Sequence, residues 1–204
     1  MDEPIVDQLI VGHCRKVEDH FSATGSVTLI RTSTVNILVD CGDPWSSDEI
    51  LQRLSSSGVH TDDIHVLVIT HGHLDHCGNL SLFPRSTIYM AADIANEGKY
   101  STLSEVSYSL CPDGDNPVLL TPEVELRSCA GHTDHDLIVI VNGTQHGCIV
   151  VAGDIFEYAN DDEDWKEMSR YPEIQSKNRA EILTYADWIV PGHGPMFKNE
   201  KSDT

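Results

Sequence analysis

The stretch IHVLVITHGHLDH, residues 64–76, decides how the rest of the chain is read. An apolar run of this length, rich in β-branched residues, is what a strand buried on both faces presents. It breaks off in His71-Gly72-His73-Leu74-Asp75-His76, an HxHxDH pattern. In extended chain alternate side chains share a face, so His71 and His73 can reach one point. After the turn, Asp75 and His76 can reach a second point nearby. Imidazole nitrogens and a carboxylate are donors for zinc, iron or manganese.

Working outward, three more strand ends carry donors of the same kind. His132 follows an apparent strand at 123–129 (EVELRSC). Asp154 closes the apolar run 147–152 (GCIVVA) and sits in Gly153-Asp154. His193 stands in Pro191-Gly192-His193-Gly194-Pro195, directly after a short strand at 187–190. Each alone is weak. Four strand ends that present His or Asp toward one edge are what a metal cleft needs.

The remaining pattern supplies a scaffold. Residues 5–11, 26–31 and 34–39 read as strands. Helical spacing of Ile50, Leu51 and Leu54 follows a turn at Asp43-Pro44. A short strand is expected at 87–91, and 93–117 reads as a long surface connection with little helix. Strands at 137–142 and 147–152 flank Asn142-Gly143, a hairpin signal. Helices are expected near 163–169 and 172–186. Two strand-rich halves, each finished by helices, imply one domain over 1–204 in which two sheets pack face to face with helices outside. A dinucleotide-binding fold is disfavoured, because no GxGxxG follows a first strand.

Composition narrows the function classes. The chain of 204 residues carries 33 acidic and 13 basic side chains, a formal net charge of -20. Such a surface repels nucleic acid and anionic membranes on average. No apolar run approaches the roughly 20 residues of a membrane span. The N-terminus lacks the positive start and apolar block of a secretory signal, so a cytosolic or nuclear setting is expected. The six cysteines form no CxxC pair and are expected as reduced thiols. Of the eleven histidines, His13, His20, His60, His65 and His146 are read as structural or surface groups. His135 is read as near the pocket without binding metal, and Asp161–Asp164 as a solvated acidic face.

HxHxDH, GHT, GD and PGHG, in that order from about residue 5 to about 197, resemble the metallo-β-lactamase superfamily. The resemblance implies an α+β fold, an αββα sandwich of two packed mixed β-sheets with helices on both outer faces. It implies two Zn2+ per chain, with iron or manganese suiting the same donors. His71, His73 and His132 would bind the first ion, Asp75, His76 and His193 the second, and Asp154 both. Asp40, in LVDCG, would orient a metal-binding histidine from behind. Asp75 would also be the catalytic group, positioning the nucleophile or accepting its proton.

A hydroxide held between two metals can attack a carbonyl or a phosphorus atom at neutral pH, so a hydrolase is expected. Closer resemblance within the family, carried by GSVTLI, ILVDCGDPW, ITHGHLDHCGNLSLFP, VVAGDIFE and ADWIVPGHGPMF, implies a homodimeric endoribonuclease of cytosol and nucleus acting on histone pre-mRNA 3′ ends. The same centre also suits a glyoxalase-II-like thioesterase or another acyl hydrolase acting on a small ester or lactone. A non-catalytic metal-binding module is the third reading. The short span after His193 leaves no room for a nucleic-acid arm or a helical glutathione-binding extension, so a minimal catalytic core is expected.

Overall fold

The structure, a computed structural model, describes residues 3–102 and 118–200. A seven-stranded sheet has the order β1-β4-β5-β6-β7-β8-β9, and a six-stranded sheet the order β10-β11-β12-β13-β14-β15. The first contains β1 (Ile5–Ile10), β4 (Val27–Arg31), β5 (Asn36–Val39), β6 (Val66–Ile69), β7 (Thr87–Met90), β8 (Asp93–Asn96) and β9 (Lys99–Thr102). The second contains β10 (Val118–Thr121), β11 (Val124–Ser128), β12 (Leu137–Thr144), β13 (Gly147–Gly153), β14 (Trp188–Pro191) and β15 (Phe197–Lys198). Both are mixed: β5, β6 and β7 run parallel, as do β13 and β14, and the other pairs are antiparallel. A separate hairpin joins β2 (His13–Val17) to β3 (His20–Thr24).

The strand alternation assigns each apolar side chain to one of three layers. Ile30, Ile37, Val39 and Val68 of the first sheet meet Val124, Leu126, Val139, Val141, Val151 and Val190 of the second. Their neighbours along the same strands point the other way. Leu29, Leu38, Leu67 and Ile69 pack on Ile50 and Leu54 of α1 (Ser47–Ser56) and on Phe83. Ile138, Ile140, Val150 and Ile189 pack on Ile182 and Ala186 at the end of α4 (Pro172–Tyr185). Burying one such side chain stabilises the fold by about 1.5–3 kcal/mol. The result is the αββα sandwich. Two short helices, α2 (Leu74–Cys77) and α3 (Trp165–Met168), sit in the loops. No helix among the described residues is long and apolar enough to cross a membrane.

Three expectations need correction, and one hairpin went unpredicted. Within 93–117, residues 93–102 form the β8–β9 hairpin, turning at Glu97 (φ 48°) and Gly98 (φ 79°); 103–117 lie outside the described residues. The hairpin predicted at Asn142-Gly143 turns instead at Gln145-His146. There β12 continues to Thr144, and Gly143 (φ 73°) lies where the register slips. The β2–β3 hairpin had no signal, because most of its residues are exposed and no apolar alternation marks it. Asp161 is not solvated. It is buried and holds Arg179 through both carboxylate oxygens, while Asp162, Glu163 and Asp164 are exposed.

Parallel pairing positions the site. Asp40 follows β5, His71 follows β6, Asp154 follows β13 and His193 follows β14, so all four leave the carboxyl ends of their strands. His132 leaves the end of β11, which points the same way as β13 because two antiparallel pairings separate them.

Candidate metal centre

The HxHxDH segment bends because β6 ends at Ile69 and α2 begins at Leu74. Its first imidazole is locked from behind. Asp40 accepts the backbone N–H of Thr70 at 2.7 Å and its hydroxyl at 2.8 Å, and Thr70 Oγ1 lies 3.1 Å from His71 Nδ1. The same Asp40 carboxylate lies 2.8 Å from His76 Nδ1. Asp40 adopts φ 61°, a left-handed conformation that Asp tolerates better than most side chains and that the surroundings must hold.

The other donors are set by their own loops. Asp136 accepts Thr133 N–H at 2.8 Å and its hydroxyl at 2.7 Å, closing the turn that carries His132. Gly153 (φ 53°) turns the chain so that Asp154 faces inward, and a side chain there would meet Thr70 Oγ1 at 2.7 Å. Gly192 matters by its lack of a side chain, since a Cβ would lie 1.8 Å from Asp154 Oδ1. His193 Nδ1 is 3.0 Å from the carbonyl oxygen of Thr24.

These loops bring seven separate side chains together. His71, His73, His132 and Asp154 offer donor atoms all within 4.8 Å of one another, and so do Asp75, His76 and His193. His73 Nδ1 is 2.9 Å from His71 Nε2 and 3.1 Å from His132 Nε2. Asp154 Oδ2 is 3.5 Å from His71 Nε2, 3.4 Å from His132 Nε2 and 3.2 Å from His193 Nε2. Its Oδ1 is 3.2 Å from His76 Nε2. Asp75 Oδ2 lies 3.7 Å from His76 Nε2 and 3.8 Å from His193 Nε2. Donors on a tetrahedral zinc sit about 3.4 Å apart, given bonds of about 2.1 Å, so these spacings suit metal binding. Further, His76 Nε2 and Asp154 Oδ1 are buried and, though 3.2 Å apart, are not aligned as a hydrogen bond and have no other partner among the described residues. Buried polar atoms are rarely left so, and a cation accounts for both. The cluster is able to bind metal ions.

Electrostatics divides the imidazoles. Burial, helped by the neighbouring His76, holds His71 well below the ordinary histidine range. Burial likewise lowers His132. For His193 burial is outweighed by the Asp154 carboxylate and its hydrogen bond, which hold it up at about 9. Burial opposes charge on His76 too, but Asp154 and Asp40 raise it well above the usual value. Burial would raise Asp154, yet His76, His193 and His71 together keep it well below the carboxylate range.

The sequence reading missed Glu157. It is fully buried, and one of its oxygens groups with donor atoms of Asp154 and His193. Glu157 lies three residues beyond Asp154 in a loop, so no strand-end pattern marks it. His135 is exposed, Trp45 is 86% exposed and therefore not core, and the five described cysteines are free. His13, read as a surface group, lines a cleft of about 480 Å³ with Val11, Cys14, Arg15, Tyr158 and His193.

An αββα sandwich with a His/Asp cluster at the carboxyl ends of its strands is the architecture of a metal-dependent hydrolase. The chain belongs to the metallo-beta-lactamase superfamily, whose family model matches residues 23–193. It is 41% identical over 197 residues to Metallo-beta-lactamase domain-containing protein 1 of Xenopus laevis, covering 95% of this chain and 81% of that one. The Homo sapiens protein of the same name is 39% identical over 167 residues, covering 79% of this chain and 59% of its own length. Among solved structures, a candidate metallo-beta-lactamase of Thermotoga maritima superposes with a TM-score of 0.71 at 20% identity, covering 97% of this chain and 100% of that one. An N-acyl homoserine lactone hydrolase with its product at the catalytic metal center superposes with a TM-score of 0.64 at 17% identity, covering 94% and 92%. Both structures share the fold.

Proposed function

We propose that this chain is a dinuclear metal-dependent hydrolase acting on RNA phosphodiesters. One observation carries the dinuclear reading: two donor sets meet at a single carboxylate, Asp154, whose two oxygens face both. His71, His73 and His132 would hold one ion, Asp75, His76 and His193 the other, and Asp154 both. Zinc is the default for these donors, and iron or manganese suits them too. Bound divalent ions supply Lewis acidity and lower the pKa of coordinated water to about 7.

The chain's own residues divide the remaining work. Asp154, Asp40 and Glu157 are buried, whereas the Asp75 side chain keeps 21% exposure. Among the acids of the cluster, Asp75 is therefore the one that can take a proton from the attacking water and return it to solvent or to the leaving group. His73 is exposed beside it and forms the rim. The cleft that ends at His193 gives the substrate its approach.

The RNA substrate rests on the closer resemblance within the family given by the sequence motifs; this chain spans 81% or 59% of the relatives named above. Local charge supports it. Arg15 and His13 line the cleft, in a chain whose net charge is -20. Action on histone pre-mRNA, a homodimeric state and a cytosolic and nuclear setting belong to the same proposal. The second reading, a small acyl substrate such as a thioester or lactone, is favoured by the overall acidity and by the apolar part of the cleft wall, Val11 and Pro195.

The test is hydrolysis of a single-stranded RNA, an aryl thioester and an N-acyl lactone by metal-loaded protein, repeated with Asp75→Asn. RNA cleavage that falls about 10²–10⁴-fold in the variant supports the proposal. RNA cleavage that persists in the variant comes from a contaminant and contradicts it. Turnover confined to the thioester or lactone moves the assignment to the acyl reading.

A further inference from the structure

Three of the four buried imidazoles in the cluster turn their outer nitrogen to an acceptor. His71 Nδ1 faces Thr70 Oγ1 at 3.1 Å, His76 Nδ1 faces Asp40 Oδ2 at 2.8 Å, and His193 Nδ1 faces the Thr24 carbonyl at 3.0 Å. Such contacts choose the tautomer and leave the inner nitrogen's lone pair for the metal. His132 breaks the pattern. Its inner Nε2 faces His73 and Asp154, but its outer Nδ1 is buried without a hydrogen-bond partner among the described residues.

Glu157 is the matching orphan. It is 0% exposed, and neither side-chain oxygen has a hydrogen-bond partner among the described residues. Glu157 Oε1 lies 3.6 Å from His132 Nδ1. A closure of about 0.7 Å gives an ordinary N–H···O hydrogen bond. The backbone around the glutamate is fixed. Its N–H donates to Asp161 Oδ2 at 3.0 Å, and its carbonyl accepts the N–H of His193 at 2.8 Å. Asp161 is in turn clamped by Arg179. The loop thus aims a carboxylate at the back of His132 and gives it no route to water. A carboxylate so placed is unfavourable unless a donor or cation meets it.

We propose that Glu157 is the positioning residue for His132: its Oε1 accepts the Nδ1–H and so holds Nε2 toward the first ion. The proposal rests on the metal-site reading but needs no particular substrate. Glu157 Oε2, 3.8 Å from His193 Nε2, defines the competing arrangement, in which the carboxylate itself binds the second ion.

The test uses the full chain loaded with zinc or cobalt, with Glu157→Gln and Glu157→Leu beside the wild type. Metal affinity by chelator competition is expected to fall about 10–100-fold for one ion in Glu157→Leu, the usual scale for losing such a partner. Glu157→Gln keeps an acceptor oxygen and is expected to restore most of that affinity. The cobalt absorption spectrum should keep its coordination number in both variants. Equal affinity in all three proteins overturns the proposal and makes Glu157 a packing residue. A lower cobalt coordination number in both variants overturns it in favour of direct ligation. Histidine ¹⁵N NMR of the zinc-loaded wild type decides the matter even if a variant fails to fold: a slowly exchanging Nδ1 proton on His132 is expected, and a bare Nδ1 contradicts the proposal. Failure of the wild type to bind metal at all would instead sink the metal-site reading beneath it.

Discussion

The two donor sets that meet at Asp154 are built differently. His71 and His132 are buried among other imidazoles and are pushed toward the neutral form before any ion arrives. His76 and His193 lie against carboxylates and are pushed toward the protonated form. The first set is therefore preorganised to donate lone pairs. The second must surrender protons to do so, and it contains Asp75, the acid of the cluster that keeps 21% side-chain exposure. The difference is one of charge: without metal the first set favours neutral imidazoles and the second protonated ones.

Removing the shared carboxylate should erase the distinction. Asp154→Ala is expected to lose both ions by elemental analysis and to lower kcat/KM by at least about 10³-fold, the scale of removing preorganised electrostatic stabilisation. Retention of either ion at wild-type affinity would show that the two sets do not depend on a common ligand. Asp40→Asn comes next. It keeps a residue that tolerates the left-handed backbone but weakens the acceptor behind His76, so the second ion should bind about 10–100-fold less tightly while the first changes less. Equal loss at both sites would mean that Asp40 acts through the fold, since its oxygens also hold Thr70.

The pH dependence sharpens the same comparison. Because His193 is held at about 9, it carries a proton at neutral pH that metal must displace. Binding must release that proton, so acidification weakens the second ion by mass action. Neutral His71 has no proton to lose, so the first ion should persist to lower pH. Titration calorimetry in buffers of different ionisation enthalpy would count the protons, and equal release at both sites would contradict the asymmetry. The smallest effect belongs to the rim. Arg15→Ala should raise KM for an anionic substrate by about 3–5-fold with kcat unchanged, an effect that fades with added salt. An unchanged KM would remove Arg15 from substrate binding.

How much of this was legible follows the geometry of each donor. The HxHxDH segment announces itself because its spacing is set within one turn of chain. His132, Asp154 and His193 carry no spacing relation to it and become readable only as strand ends that parallel pairing brings to one edge. Glu157 and Asp161 sit in an irregular loop, where sequence distance says nothing about direction, and the acidic run around them reads as a solvated face until Arg179 is seen inside it. The central strands were legible because burial on both faces makes them continuously apolar. The β2–β3 and β8–β9 hairpins were not, since their exposed side chains are free of the alternation that a core imposes.

A crystal structure of metal-loaded protein with anomalous scattering at the metal edge tests the central claim most directly. The account predicts two peaks about 3.5–4 Å apart, one on His71, His73 and His132, the other on Asp75, His76 and His193, both touching Asp154. A single peak, or peaks away from Asp154, would contradict it.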